Sequence, residues 1–203
     1  DYGAGNLRNV QKAIEHLGGR GIISASPDDI SRAEALILPG VGHFQAGMAS
    51  LKASGLDQAV RSAVLEGGSS LLGICLGMHL IAREGHEGGL APGLDLLPMS
   101  IRLIESDQPG FRLPHIGWNE VEHHPNSLLF VDVPPKPDFF FVHSYHAVCP
   151  DDSVLQATCP FAGGITAAVE RAPLFAVQFH PEKSQRFGLQ VLQNFLTYCQ
   201  SRA

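Results

Sequence analysis

The sequence predicts an α/β fold: an open, largely parallel sheet with helices on both faces and added antiparallel strands in the second half. Three observations carry that expectation. Through the first half, short apolar runs closed by glycine-bearing turns alternate with stretches of helical periodicity, the pattern of parallel strands joined by helical crossovers. In the second half, strand-like runs follow one another at separations too short for a helical crossover, so several must pair locally and antiparallel. A hydrophobic content of 44% against 17% charged residues supplies a sizeable core.

The elements follow in chain order. "DYGAGN" (1–6) reads as the glycine turn that leaves a strand and enters a helix, and nothing precedes it, so a first strand is expected to be missing. Leu7, Val10, Ile14 and Leu17 recur at helical spacing, with Asn6 placed to cap. "ALIL" (35–38) and "SLLGI" (70–74) are short buried strands. Between them Leu56, Ala59, Val60, Ala63 and Val64 mark a helix. Strands are then expected at "SIRLIE" from Ser100, "HIGWNEVE" from His115, "FFFVHSYH" from Phe139, "VLQATC" from Val154, "ITAAVE" from Ile165 and "LFAVQF" from Leu174. Trp118 could lie on a partner-facing surface, but its alternation with Ile116 favours a buried strand. A final helix carries Leu189, Leu192, Phe195, Leu196 and Cys199 on one stripe. No Pro/Ser-rich or charged linker divides the chain, so residues 1–203 are expected to form one domain lacking its first strand.

Composition narrows the function classes. A net charge of -6 argues against nucleic acid, which demands clustered Lys and Arg to neutralise phosphates. No apolar run approaches the roughly 20 residues of a membrane span. The four cysteines form no CxxC pair, which points to reduced thiols in a cytosolic setting.

The chemistry centres on "LLGICLGMHL" (71–80). Gly73 and Gly77 flank Cys75 at minus two and plus two, the spacing of a nucleophile elbow, where a sharp strand-to-helix turn lifts the reactive atom out of the sheet. A helix N-terminus there would favour the thiolate that attacks. A cysteine buried for packing fits the local pattern as well, and a base must decide between them. "QFHPEKSQ" (178–185) supplies one: His180 ends an apolar strand, Pro181 stops the ladder, and Glu182 follows within reach of the imidazole. Cys75, His180 and Glu182 would then be nucleophile, general base and orienter. "LPGVGHF" (38–44) is a second strand-to-glycine turn. A dinucleotide fingerprint would need glycine at 45, where Gln45 stands, so an oxyanion hole fits better. The Leu76 amide and an amide from residues 40–42 would hold the developing negative oxygen, each donor being worth about 3 kcal/mol of barrier.

Taken together, "GICLGM", "FHPE" and the glycine turn resemble the class I glutamine amidotransferases. Within that class, "DYGAGNL", "LPGVGHF", "PHIGWN", "VHSYH" and "QFHPEKSQ" are similar to the family of glutaminase subunits of imidazole glycerol phosphate synthases. The resemblance implies that Cys75, His180 and Glu182 hydrolyse glutamine to glutamate and ammonia, with Val41, Gly42 and Leu76 forming the oxyanion hole. It implies that glutamine lies against Gly42, His79, Glu87, Ser144 and Tyr145. It implies no cofactor and no metal, a cytoplasmic setting, and a (β/α)8 cyclase partner in histidine biosynthesis that receives the ammonia, with Lys183, Ser184 and Gln185 at the docking face. It also implies a glutaminase that stays quiet until the cyclase is occupied, switched by rotation of a peptide in the "PGVG" turn, where glycines on both sides of Val41 ease the motion.

The chain departs from the family at two histidines. His79 replaces a glutamine that helps hold the substrate; an imidazole that charges below about pH 6.5 should make glutamine binding weaker or more pH-sensitive. His146 replaces a tyrosine. His143 and His146 on one strand would point to opposite faces, which speaks against shared metal ligation. His123 and His124 are expected to face solvent, and Cys149, Cys159 and Cys199 to serve packing. The readings that compete are the glutaminase of another class I amidotransferase, a catalytically silent binding module of the same fold, and a cysteine peptidase.

Overall fold

The computed structural model describes residues 1–150 and 154–202. In chain order the elements are α1 (Leu7–His16), α2 (Pro27–Ser31), β1 (Ala35–Gly40), α3 (Phe44–Ala53), α4 (Leu56–Leu65), β2 (Ser70–Cys75), α5 (Leu76–Leu80), β3 (Ala82–Gly85), β4 (Ala91–Pro92), β5 (Leu97–Leu103), β6 (His115–Glu120), β7 (Asp138–His143), β8 (Tyr145–Val148), β9 (Leu155–Cys159), β10 (Ile165–Arg171), β11 (Leu174–Val177) and α6 (Gln185–Gln200). Short 3₁₀ turns lie at Phe161–Gly163 and Pro181–Lys183.

The principal sheet has the order β1-β2-β11-β10-β9. β1, β2 and β11 run parallel, and β10 and β9 extend them antiparallel. β2 lies at its heart with all six residues buried. Successive side chains of a strand point to opposite faces, so Leu71 joins one core layer and Leu72 the other. On the Leu71 side pack Phe44, Met48 and Leu51 of α3 and Leu56 and Val60 of α4; on the Leu72 side pack Val10 and Ile14 of α1 and Val191, Leu192 and Phe195 of α6. Helices thus cover both faces, each buried leucine contributing about 1.5–3 kcal/mol. A second sheet has the order β4-β3-β5-β8, and β6 pairs only with β7.

Several local expectations change. Asn6 occupies the N-cap position of α1, but its side chain makes no capping bond; its backbone carbonyl receives Asn9 and Val10 instead. α3 went unseen because its first residues were absorbed into the glycine turn and Gly47 interrupts it; that glycine lets Leu80 approach, to within 3.1 Å of where a Cβ would sit. The buried strand expected around Trp118 is corrected. Ile116 and Trp118 are 62% and 45% exposed, because the β6–β7 ladder joins neither larger sheet and only its other face, carrying His115, Phe139 and Phe141, is covered. His123 is half-buried rather than solvent-facing, stacked on Phe130 at 4.7 Å with Nε2 donating to the Pro134 carbonyl at 2.9 Å. β7 and β8 are two strands and not one: the chain bends at Ser144, so His143 and His146 come within electrostatic reach of each other.

β1 is an outer strand, and a trough of about 710 Å³ runs beside it, lined by apolar residues including Val10, Ile14, Ile22, Leu36, Leu38 and Leu71 and by Asp1 and Tyr2.

Candidate active site

β2 ends at Cys75 and α5 begins at the next residue. Cys75 makes the whole turn itself, with φ 53° and ψ −110°, a conformation strained for any residue with a side chain. The flanking glycines permit it. A Cβ on Gly73 would stand 2.9 Å from the Gly77 backbone, and one on Gly77 would overlap the Leu38 carbonyl of β1. The β1–β2 register sets Gly40 opposite Cys75, which brings the turn that follows β1 alongside the thiol.

β11 stops at Val177, opposite Ile74. Gln178 and Phe179 carry the chain on to His180, whose amide donates to the Phe140 carbonyl of β7 at 2.9 Å. Pro181 opens the 3₁₀ turn, and the turn sets Glu182 Oε1 2.9 Å from His180 Nδ1. The two side chains are 3% and 2% exposed. Burial alone would lower the His180 pKa. The nearby Cys75 and Glu182, as hydrogen-bonding groups and as charges, outweigh it and raise the pKa to about 9. His180 Nε2 has no partner at full hydrogen-bond geometry among the described residues. The thiol is therefore near enough to perturb the ring without being aligned with it, an arrangement common before substrate binds.

The residues expected from sequence to be oxyanion donors follow the ends of β1 and β2. Leu76 supplies the first amide of α5, where helix geometry leaves the N–H without an acceptor. Gly42 has φ +114° and open space around it, whereas a Cβ on Gly40 would strike Tyr2 and Leu76. The freedom expected on both sides of Val41 therefore belongs to Gly42 alone. Tyr2 was not foreseen in the site. Its hydroxyl donates to the Pro39 carbonyl at 3.0 Å, and burial, then the charge of Cys75, push its pKa up.

The remaining residues divide. Glu87 is half-buried and accepts from the Phe44 amide at the start of α3, at 2.7 Å. Ser144 and Tyr145 are half-buried at the bend between β7 and β8. Lys183 and Gln185 are exposed. Ser184 is not: it is 1% exposed, its hydroxyl donates to the His180 carbonyl at 2.6 Å and accepts from the Phe140 amide at 3.0 Å. Its side chain thereby locks the turn behind the base.

His79 also differs from expectation. It is 5% exposed, and its Nε2 lies 2.8 Å from Gln178 Oε1. Burial is the main cause that brings its pKa down to about 4, with Gln178 opposing and His146 assisting. Burial therefore works against the charging expected near pH 6.5. Beside it, Asn119 Nδ2 donates to His115 Nε2 at 2.6 Å, His115 Nδ1 to His143 Nε2 at 3.0 Å, and His143 Nδ1 to the Tyr145 carbonyl at 2.7 Å, the one direction that two neutral rings allow. Burial, first among the causes, lowers the pKa of His115 to about 4, of His143 to about 3, and that of His146. Among the described residues, no group of three or more His, Cys, Asp or Glu side chains is arranged to hold a metal ion. The chemistry on offer is thus a thiol on a strained elbow beside a buried imidazole–carboxylate pair, suited to acyl transfer.

The profile of the "Glutamine amidotransferase class-I" family matches residues 1–199. A protein of Moorella thermoacetica named "Imidazole glycerol phosphate synthase subunit HisH" is 45% identical over 195 residues, covering 96% of this chain and 91% of the relative. Its namesake from Chlorobaculum tepidum is 43% identical over 199 residues, covering 98% of each. A solved structure described as "Crystal structure of glutamine amidotransferase" superposes with a TM-score of 0.76 at 19% identity, covering 97% of this chain and 95% of that one, a likeness of fold.

Proposed function

Because the chain belongs to the class I glutamine amidotransferase family, and within it to the HisH subunits of imidazole glycerol phosphate synthase, we propose that it hydrolyses glutamine and passes the ammonia to a cyclase subunit in histidine biosynthesis. The observation that carries this reading is the buried His180–Glu182 pair, 2.9 Å apart, on a ring that Cys75 also perturbs and whose Nε2 has no aligned partner among the described residues.

The steps follow from the geometry. With its pKa raised to about 9 by Cys75 and Glu182, His180 takes the Cys75 thiol proton as the sulfur becomes the nucleophile. The sulfur attacks the side-chain carbonyl carbon of glutamine, and the oxygen takes the negative charge, facing the Leu76 amide and the turn at Val41 and Gly42. As the adduct collapses, the C–N bond breaks, His180 Nε2 gives its proton to the leaving nitrogen, and ammonia departs. A glutamyl thioester remains on Cys75. His180, now neutral, takes a proton from water, hydroxide adds to the thioester, and glutamate leaves with the thiolate restored. Glu182 holds the ring through Nδ1 throughout. No cofactor enters any step. A cysteine kept reduced for this chemistry suits the cytoplasm, the setting that this reading implies.

The docking face proposed for the cyclase includes Lys183 and Gln185. Support comes from the surface beside them. Trp118 stands edge-on to Phe140 at 6.0 Å, the Lys183 ammonium lies 5.7 Å from the same ring, and Phe140 hydrogen-bonds both Ser184 and His180 through its backbone. An exposed aromatic patch is thereby tied directly to the base, and a partner seated on it would press on the site. Gly42 is the hinge at which the oxyanion turn would answer.

The test is to mix the chain with an imidazole glycerol phosphate synthase cyclase and follow glutamate release with and without the nucleotide substrate. Release that rises with nucleotide and vanishes in Cys75→Ala is expected. No release from the loaded complex would overturn the reading.

A further inference from the structure

We propose that the His79–Gln178 hydrogen bond is a positioning bridge that holds the helix carrying Cys75 against the strand end carrying His180, so that His79 sets the geometry of attack and does not contact glutamine. The proposal rests on the glutaminase reading for its kinetic consequences and on geometry alone for the bridge.

Cys75 and His180 arrive from separate stretches of chain. The parallel ladder between β2 and β11 ends with Ile74 opposite Val177, before either reactive residue is reached. Beyond that point the backbone of 178–180 turns to other neighbours: Gln178 N–H donates to the Ala167 carbonyl of β10 at 2.8 Å, and His180 N–H to Phe140 of β7. Backbone pairing therefore leaves the two reactive groups unregistered with each other. His79 stands one turn along α5 from Cys75, and Gln178 stands two residues before His180. Their side chains meet at 2.8 Å across 99 residues of sequence, 5% and 0% exposed. The bond joins the two carriers where the ladder has stopped.

The bridge is robust to the details of protonation. With Nε2 protonated, His79 donates to Gln178 Oε1; with the other tautomer, a turned Gln178 amide donates to His79. Burial keeps the ring neutral near pH 7, so the contact does not titrate there. Gln178 Nε2 has no partner among the described residues, so loss of His79 would strand the whole amide in the interior and drive it to move.

The experiment separates positioning from substrate contact. Alkylation of Cys75 by iodoacetamide, quantified on the Cys75 peptide because Cys149, Cys159 and Cys199 are also thiols, needs no glutamine pocket. In His79→Ala it should slow about tenfold per folded molecule, with kcat for glutamine in the cyclase complex falling by a similar factor and KM held within about twofold. His79→Gln, whose amide can meet Gln178 from the same helical position, should restore both rates to within about threefold. Should His79→Ala not fold, His79→Leu, which fills the space without hydrogen bonding, takes its place. A raised KM with unchanged alkylation would overturn the proposal in favour of direct contact with glutamine. A lowered melting temperature with unchanged alkylation and kcat would overturn it in favour of a structural role. If the parent complex releases no glutamate while alkylation still depends on His79, the functional reading fails and the bridge stands.

Discussion

Cys75 holds backbone dihedrals of 53° and −110° because glycines at 73 and 77 let α5 fold back over β1, and strain of this kind costs about 1–3 kcal/mol. Its partner ring is subject to two opposed influences, burial against charge and Cys75 with Glu182 in favour. A raised pKa means that this interaction stabilises the fold fully below about pH 6.5, and that the contribution is lost as pH rises through about 9. Glu182→Gln removes a charge and leaves a similar shape. It should lower kcat for glutamate release by about 10²–10⁴-fold and bring the His180 pKa down, as read by imidazole NMR. An unchanged His180 titration would show that Glu182 does not act through the ring. The pattern G-x-C-x-G and the "HPE" run made these three residues legible as a candidate triad only in combination, because each run taken alone also fits packing or an ordinary turn. Tyr2 and Gln178 were not legible: their parts depend on carbonyl and imidazole groups that are remote in sequence.

At the scale of elements, the bend at Ser144 turns one expected strand into β7 and β8 and gathers His79, His115, His143 and His146 behind the site. Their pKa values are depressed in the fold, to about 4, 4 and 3 for the first three. Each contributes stability that is present above about pH 6.5, the unfolded value, and lost as pH falls toward the folded one. The urea midpoint should therefore drop between pH 7 and pH 5, and His143→Phe should flatten that drop. Equal midpoints at the two pH values would contradict the assignment. The uncovered face of β6 carries the complementary prediction. Trp118→Ala should weaken cyclase binding by about 2 kcal/mol, roughly thirtyfold, while iodoacetamide labelling of Cys75 in the isolated chain stays unchanged. Unaltered affinity by titration calorimetry would move the docking face elsewhere.

For the whole molecule, the open edge of β1 and the apolar trough of about 710 Å³ beside it leave room for a further strand. A segment of about six apolar residues fused ahead of Asp1 should pair with β1 and raise the melting temperature by about 5 °C or more. No change in melting, with undiminished binding of a hydrophobic dye, would show that the trough does not accept a strand. The sequence by itself determined the α/β class, the central buried strands, α4 and α6, because strand and helix periodicity, glycine turns and proline stops act over a few residues, and its family resemblance singled out Cys75, His180 and Glu182 as the candidate triad. Tertiary structure alone decided that Ser184 is buried, that Trp118 is exposed, that Gly42 and not Gly40 is free to turn, and that His79 is neutral and bound to Gln178. Each of those depends on which distant surface arrives to cover or desolvate a group, and desolvation is a property of the assembled fold that no short stretch of chain contains.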